Sequence, residues 1–163
     1  MNNVIKVLLV VFFSFLSSTS WSETKNGLVM DDLVIKDNLF YKKFSDDVPF
    51  TGMVTGSAQG MMKKGLPEGS WIYYENGQLI EKQNFKNGIL DGPNVIYYLT
   101  GNFMEKRGYK DGNPHGLWET YNENGKLMEK GTYKDGQPDG LFEIFNEDGS
   151  LQRTETWIDG VKQ

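Results

Sequence analysis

Glycines recur every 24 residues across positions 69–163, and that period leaves few folds open. Gly77, Gly101, Gly125 and Gly149 form one series, and Gly88, Gly112, Gly136 and Gly160 form a second. Gly69, Gly92, Gly116 and Gly140 open the four copies, the first of which is one residue shorter than the others. A period between about 20 and 50 residues signals repeats that bury an apolar face only by stacking on a neighbour.

Each copy reads as two short strands and two tight turns. Glu75-Asn76-Gly77, Glu123-Asn124-Gly125 and Glu147-Asp148-Gly149 close one end. Asn87-Gly88, Asp111-Gly112, Asp135-Gly136 and Asp159-Gly160 close the other. Asparagine, aspartate and glycine tolerate positive φ, which fits a tight turn to the right-handed twist of paired strands. The expected fold is therefore all-β, an elongated, twisted antiparallel β-meander of stacked β-hairpins.

Aromatic residues sit between the turns and supply the core. The first strands offer Trp71 and Tyr74, Tyr97, Trp118 and Tyr121, and Phe142 and Phe145. The second strands offer Leu79 with Phe85, Phe103 with Tyr109, Leu127 with Tyr133, and Leu151 with Trp157. Stacked in register, they form ladders of like rings across neighbouring units. Trp118 and Tyr121 lie three apart, so either the strand carries a bulge or both faces of the sheet pack. Leu127 and Tyr133 lie six apart and are expected to share a face.

Upstream, Gly65-Leu66-Pro67-Glu68-Gly69 matches Gly136-Gln137-Pro138-Asp139-Gly140, which indicates an eroded unit before the first full copy. Two β-prone runs, residues 39–44 and 49–54, are joined by Ser45-Asp46-Asp47 and read as a hairpin that caps the array. Residues 1–22 have the layout of a secretory signal: one charge at Lys6, an apolar run from Val7 to Leu16, then small residues. Cleavage fits after Ser20 or Ser22, with Ser22 preferred. The expected organisation is a signal over 1–22, a linker and capping hairpin over 23–56, and the repeat array over 57–163.

Without Lys6, 16 basic residues face 22 acidic ones, a balance that argues against binding a phosphate backbone. Cysteine is absent, so no disulfide and no lipid-modified N-terminal cysteine contributes. The expected location is periplasmic or secreted, and a basic or neutral protein is the easiest partner to accommodate.

The string Gly116-Leu117-Trp118-Glu119-Thr120-Tyr121, followed by Gly131-Thr132-Tyr133-Lys134-Asp135-Gly136, resembles the bacterial variant of the MORN repeat. Phe40-Tyr41-Lys42 and Pro49-Phe50-Thr51-Gly52 resemble the opening of the YwqK-type antitoxin family. The resemblance covers roughly residues 39–163 and implies a stack of MORN-like hairpins that binds other molecules. It also implies an antitoxin or immunity role against a toxin or effector, with phospholipid-associated or scaffolding roles as the alternative. The second copy departs from the pattern: Asn94 stands at the aromatic position and Thr100 precedes the tip glycine. Looser packing is expected there, marking either a local groove or a tolerated loss.

Catalytic chemistry lacks its parts. His115 has no second histidine or cysteine to work with, and no nucleophile elbow or phosphate-cradling loop is present. Turn aspartates such as Asp135 and Asp139 read as turn formers, because each loop offers too few oxygens for calcium. Neither cofactor nor metal is expected. The aromatic rows read as core, with Tyr73, Tyr98 and Trp21 as the rings left exposed. Most prominent residues are thus engaged in folding, and function falls where the copies differ: Asn94, Tyr98, Thr100, His115 and Tyr73 are the candidate partner-binding residues.

Overall fold

A computed structural model describes residues 27–44 and 47–163. The expected signal, residues 1–22 with Trp21, lies outside the described residues. The described residues form one 14-stranded sheet and a two-stranded hairpin, all-β as expected. From Gly52–Thr55 through Ala58–Lys63, Leu66–Glu75, Gln78–Lys86, Gly92–Tyr97 and Phe103–Lys110, each strand lies antiparallel to the next. The meander continues through Asn113–Tyr121, Leu127–Lys134, Gly140–Phe145 and Leu151–Ile158. Leu28–Val29 adds a parallel strand against Gly52–Thr55.

Turn chemistry explains the regularity. At one end, Asn87, Asp111, Asp135 and Asp159 have φ of 51, 48, 49 and 47°, each followed by a positive-φ glycine. That geometry belongs to two-residue turns whose twist matches the strands they join. Lys64 and Gly65 repeat it with φ of 51 and 78°, so the expected eroded unit keeps this turn. The opposite tips split into two kinds. The shorter first copy turns on Asn76 and Gly77, both at positive φ. The longer tips instead close around Tyr98 to Asn102, Asn122 to Lys126 and Asn146 to Ser150, where the leading residue's N–H donates to the last residue's carbonyl. In those loops only the glycine has positive φ, so Asn124 and Asp148 do not take the left-handed role their position suggested.

Bulges then decide which side chains share a face. Glu105 pairs with Ile96 but Phe103 with Tyr97, so Met104 is an extra residue; Met128 is extra in the same way between Glu129 and Leu127. An extra residue reverses the alternation beyond it. Leu127 therefore faces Tyr121, whereas Tyr133 lies with Trp118, and the expectation that Leu127 and Tyr133 share a face is wrong for this reason. Of the two readings open for Trp118 and Tyr121, both faces of the sheet carry rings.

One face holds Trp71, Tyr73 and Phe85, then Trp118, Tyr133, Phe142 and Trp157; it is called the core face here. The other holds Tyr97, Phe103, Tyr121 and Phe145, with Lys82 and Lys130 over the rings of Tyr97 and Phe145 and Lys106 over both Phe103 and Tyr121. On that lysine face Lys106 pairs with Glu119 at 3.5 Å and Lys130 with Glu143 at 2.7 Å. The Tyr121 hydroxyl donates to Glu119 at 2.6 Å and accepts from Lys106 at 3.0 Å, which holds the Lys106 ammonium above its ordinary pKa.

The core is concentrated at the N-terminal end. Val54, Ala58, Met62, Trp71, Tyr73, Phe85 and Leu90 are buried together, and Leu33 and Phe40 of the separate hairpin complete the cluster. That hairpin joins Leu33–Lys36 to Leu39–Lys42. The expected pairing of residues 39–44 with 49–54 is therefore corrected. The positive-φ pair Asp37 and Asn38 offers a tight turn to the preceding strand, and Gly52–Thr55 joins the long sheet instead. The hairpin is held at the first array turn, where the Phe40 N–H donates to the Gly65 carbonyl at 2.9 Å. Trp71 is 1% exposed. Its ring lies where a Cβ on Gly60 would come within 2.3 Å of ring carbons, so only glycine fits opposite it.

Candidate functional site

The core face changes character at the second copy. Where Trp71, Trp118 and Phe142 stand in the other copies, Asn94 is buried at 3% exposure. Its Nδ2 donates to Glu81 Oε1 at 3.0 Å, and Gln83 Nε2 donates to the same oxygen at 2.8 Å. Across the hairpin Asn94 faces Arg107, whose guanidinium pairs with Glu105 and lies 4.5 Å from the centre of the Trp118 ring. A missing ring is thus replaced by a polar cluster of Glu81, Gln83, Asn94, Glu105 and Arg107.

The cluster is tightly constrained electrostatically. Burial raises the pKa of the Glu81 carboxyl, against the pull of the Asn94 and Gln83 donors and the Arg107 charge. Burial, with Glu81 nearby, likewise pushes the Tyr73 phenol up. Around Arg107 burial opposes the charge, but the bonds to Glu105 and Tyr109 outweigh it and hold the guanidinium ionised. Two buried atoms of the cluster, Asn94 Oδ1 and Arg107 Nε, have no hydrogen-bond partner among the described residues. Such orphans are rare, because burying an unpaired polar atom costs about 1–3 kcal/mol.

Beside the cluster, toward the tips, lies an open depression of about 430 Å³. Ile80, Ile96, Leu99 and Met104 are among its apolar lining residues, and Glu75, Glu81 and Glu123 are its acidic ones. Its walls are tied together between copies. The Tyr98 hydroxyl donates to the Tyr121 carbonyl at 2.9 Å, and Asn102 Nδ2 donates to the Glu123 carbonyl at 2.8 Å. Of the two readings open for the irregular second copy, a depression lies there, and Tyr98 and Thr100 both line it.

Beyond the cluster the core face becomes a row of rings. Trp118 and Tyr133 are 4.6 Å apart between centroids, Tyr133 and Phe142 5.7 Å, and Phe142 and Trp157 6.2 Å. Phe142 is buried, while Trp118, Tyr133 and Trp157 are each partly open. Upstream the corresponding surface is closed by the chain's own hairpin, through Leu33 and Phe40.

Of the five candidates from sequence, Asn94, Tyr98 and Thr100 gather at the second copy. Tyr73 is 5% exposed and stacked on Trp71 at 6.2 Å, so the expectation of an exposed ring is corrected: alternation from Trp71 turns Tyr73 into the core. His115 lies apart, within the strand Asn113–Tyr121 rather than in the turn, with Nδ1 3.5 Å from Asp135 Oδ1. At the matching positions Glu68, Asp91 and Asp139 accept from the backbone N–H of Asn87, Asp111 and Asp159, at 2.7, 3.3 and 3.4 Å. These acids work in the turns, as their sequence context suggested. Glu81, Glu105 and Arg107 escaped the sequence reading. The available signal was the 24-residue register itself, in which Glu81, Glu105 and Glu129 are equivalent and Arg107 replaces the residue at Gln83 and Gly131.

Two segments, residues 67–87 and 114–135, match the MORN repeat variant. Each spans one hairpin turn and its flanking strands, so the chain is a repeat protein in which these two units match that variant. No curated protein matches the sequence. A crystal structure of accessory secretory protein 1, 2 and 3 in Streptococcus pneumoniae is similar at 14% identity and a TM-score of 0.30. That match covers 83% of this chain but 20% of the other, and so low a score supports no inference about fold or function.

Proposed function

We propose that this chain is a non-enzymatic protein-binding module that receives a partner on the open part of its core face. One observation carries the reading. The same face that binds the chain's own hairpin over Trp71, Tyr73 and Phe85 continues as Trp118, Tyr133, Phe142 and Trp157 with Arg107 stacked at its margin. Tryptophan, tyrosine and arginine dominate the energetics of protein interfaces, because they bury large area and retain a polar handle. The finer reading is export followed by capture of a toxin or effector in the cell envelope, as an antitoxin or immunity protein. The apolar run of residues 7–16 and the acidic balance of the chain support it. A phospholipid scaffold ranks second, since the lysine face, the natural candidate for anionic headgroups, has Lys106 and Lys130 already paired with Glu119 and Glu143.

Site-specific photo-crosslinking in the producing cell tests this. A benzophenone amino acid at Thr120, on the core face, is expected to capture one protein, and Trp118→Ala is expected to abolish the adduct. The same probe at Leu117, 53% exposed on the opposite face, serves as control. Equal capture from both positions, or none from Thr120, rejects the core face as the interface.

A further inference from the structure

The depression at the second copy has a chemistry that the ring row lacks. Its apolar lining residues include Ile80, Ile96, Leu99 and Met104, its acidic ones are Glu75, Glu81 and Glu123, and no lysine or arginine among the described residues lines it. A site of this composition is matched by a side chain with a long aliphatic stem and a positive head. We infer that the depression is the specificity pocket for a lysine side chain of the bound protein, its stem along Ile80, Ile96 and Met104 and its ammonium toward Glu81, Glu75 and Glu123.

The geometry around Glu81 favours this occupant over a neutral one. Both donors that reach its carboxylate, Asn94 Nδ2 and Gln83 Nε2, converge on Oε1. Oε2 accepts no hydrogen bond among the described residues, and Arg107 is committed to Glu105. A partly buried carboxylate is thus held by two neutral amides, with Arg107 acting on it only through its charge and one oxygen uncommitted, and an incoming ammonium supplies a direct ion-pair partner. The site is also preformed. Interlocked tips hold its rim, through Tyr98 to the Tyr121 carbonyl and Asn102 to the Glu123 carbonyl, so little ordering is needed on binding. Leu99, 67% exposed, and Thr100 stand free at the rim to contact residues flanking the lysine. The second copy's irregularity then has a purpose: an aromatic residue at position 94 would remove one of the two donors that orient Glu81.

The inference rests on the protein-binding reading, and its test is separable from the crosslinking experiment. The ¹⁵N-labelled full chain is titrated with acetyl-Leu-Lys-Leu amide and, separately, with the same peptide carrying norleucine in place of lysine. The lysine peptide is expected to give saturable amide shifts confined to residues 80–81, 96–104 and 123, and the norleucine peptide none. Glu81→Gln is expected to weaken binding about tenfold, the loss of one charge-assisted contact. Glu123 is exposed at a tip, so Glu123→Gln keeps the fold and is expected to weaken binding a few-fold. Equal shifts from both peptides, shifts centred elsewhere, or unchanged affinity in Glu123→Gln overturn the inference. If Thr120 still captures a protein in the cell, that failure falls on the lysine pocket alone.

Discussion

At the scale of single residues, the molecule turns on one substitution in its own repeat. Asn94 occupies a position where the other copies place Trp71, Trp118 and Phe142, and a charged cluster fills the space a ring would take. Because burial raises the Glu81 pKa, the folded chain holds that proton more tightly than the unfolded chain. Its contribution to stability is fully present below the unfolded carboxylate pKa and is lost as pH rises through the folded value. Glu81→Gln mimics the protonated acid at every pH and keeps an oxygen for both amide donors. Paired thermal melts are expected to show the variant melting above wild type at neutral pH, with the gap closing as pH falls through the carboxylate range. A gap independent of pH contradicts the assignment. A gain in stability together with weaker lysine-peptide binding is the pattern of a residue kept for function at the expense of the fold. Asn94 was visible in the sequence as a broken pattern. Its partners were not, because Glu81, Glu105 and Arg107 look like ordinary charged residues on a solvated strand until the register places both glutamates beside Ile96 and Arg107 opposite Asn94.

At the scale of elements, hairpins succeed one another because each turn carries residues that tolerate positive φ, and that much could be read directly from Asn-Gly and Asp-Gly spacing. The bulges could not. Met104 and Met128 carry no sequence mark of being extra residues, yet they reverse the face of everything on one side of them, and this defeated the six-residue argument for Leu127 and Tyr133. The β character of residues 39–44 was legible, but their partner strand was not: residues 33–36 and 49–54 have similar β character, and the turn at Asp37 and Asn38 settles the pairing. Close ring packing across strands gives the elements their adhesion. A Cβ at Gly131 would lie 2.4 Å from carbons of the Phe142 ring, which is itself 5% exposed. Gly131→Ala is therefore expected to cost about 1–3 kcal/mol by overpacking. Urea unfolding with an unchanged m-value measures it, and a cost near zero would mean that the rings do not sit over this strand.

At the scale of the whole molecule, one face of a single sheet is used in two ways. Its N-terminal end is a core, closed over Trp71 by the hairpin through Leu33 and Phe40, and its C-terminal end is an open surface built from equivalent residues of later copies. Repetition alone predicted ladders of rings but not where they end as core and begin as surface, since that boundary depends on which segment lies over them. Glu81, Asn94 and Arg107 fall at that boundary, between the hairpin's reach and the open row. The most direct test uses the intact chain with 5-fluorotryptophan at its tryptophan positions, each ¹⁹F signal assigned by a Trp→Phe substitution, and compares chemical shifts in H₂O and D₂O. Trp71 is expected to show almost no solvent isotope shift, and Trp118 and Trp157 clear ones. A Trp118 signal as insensitive to solvent as that of Trp71 would contradict the account, because the face proposed to bind a partner would already be covered.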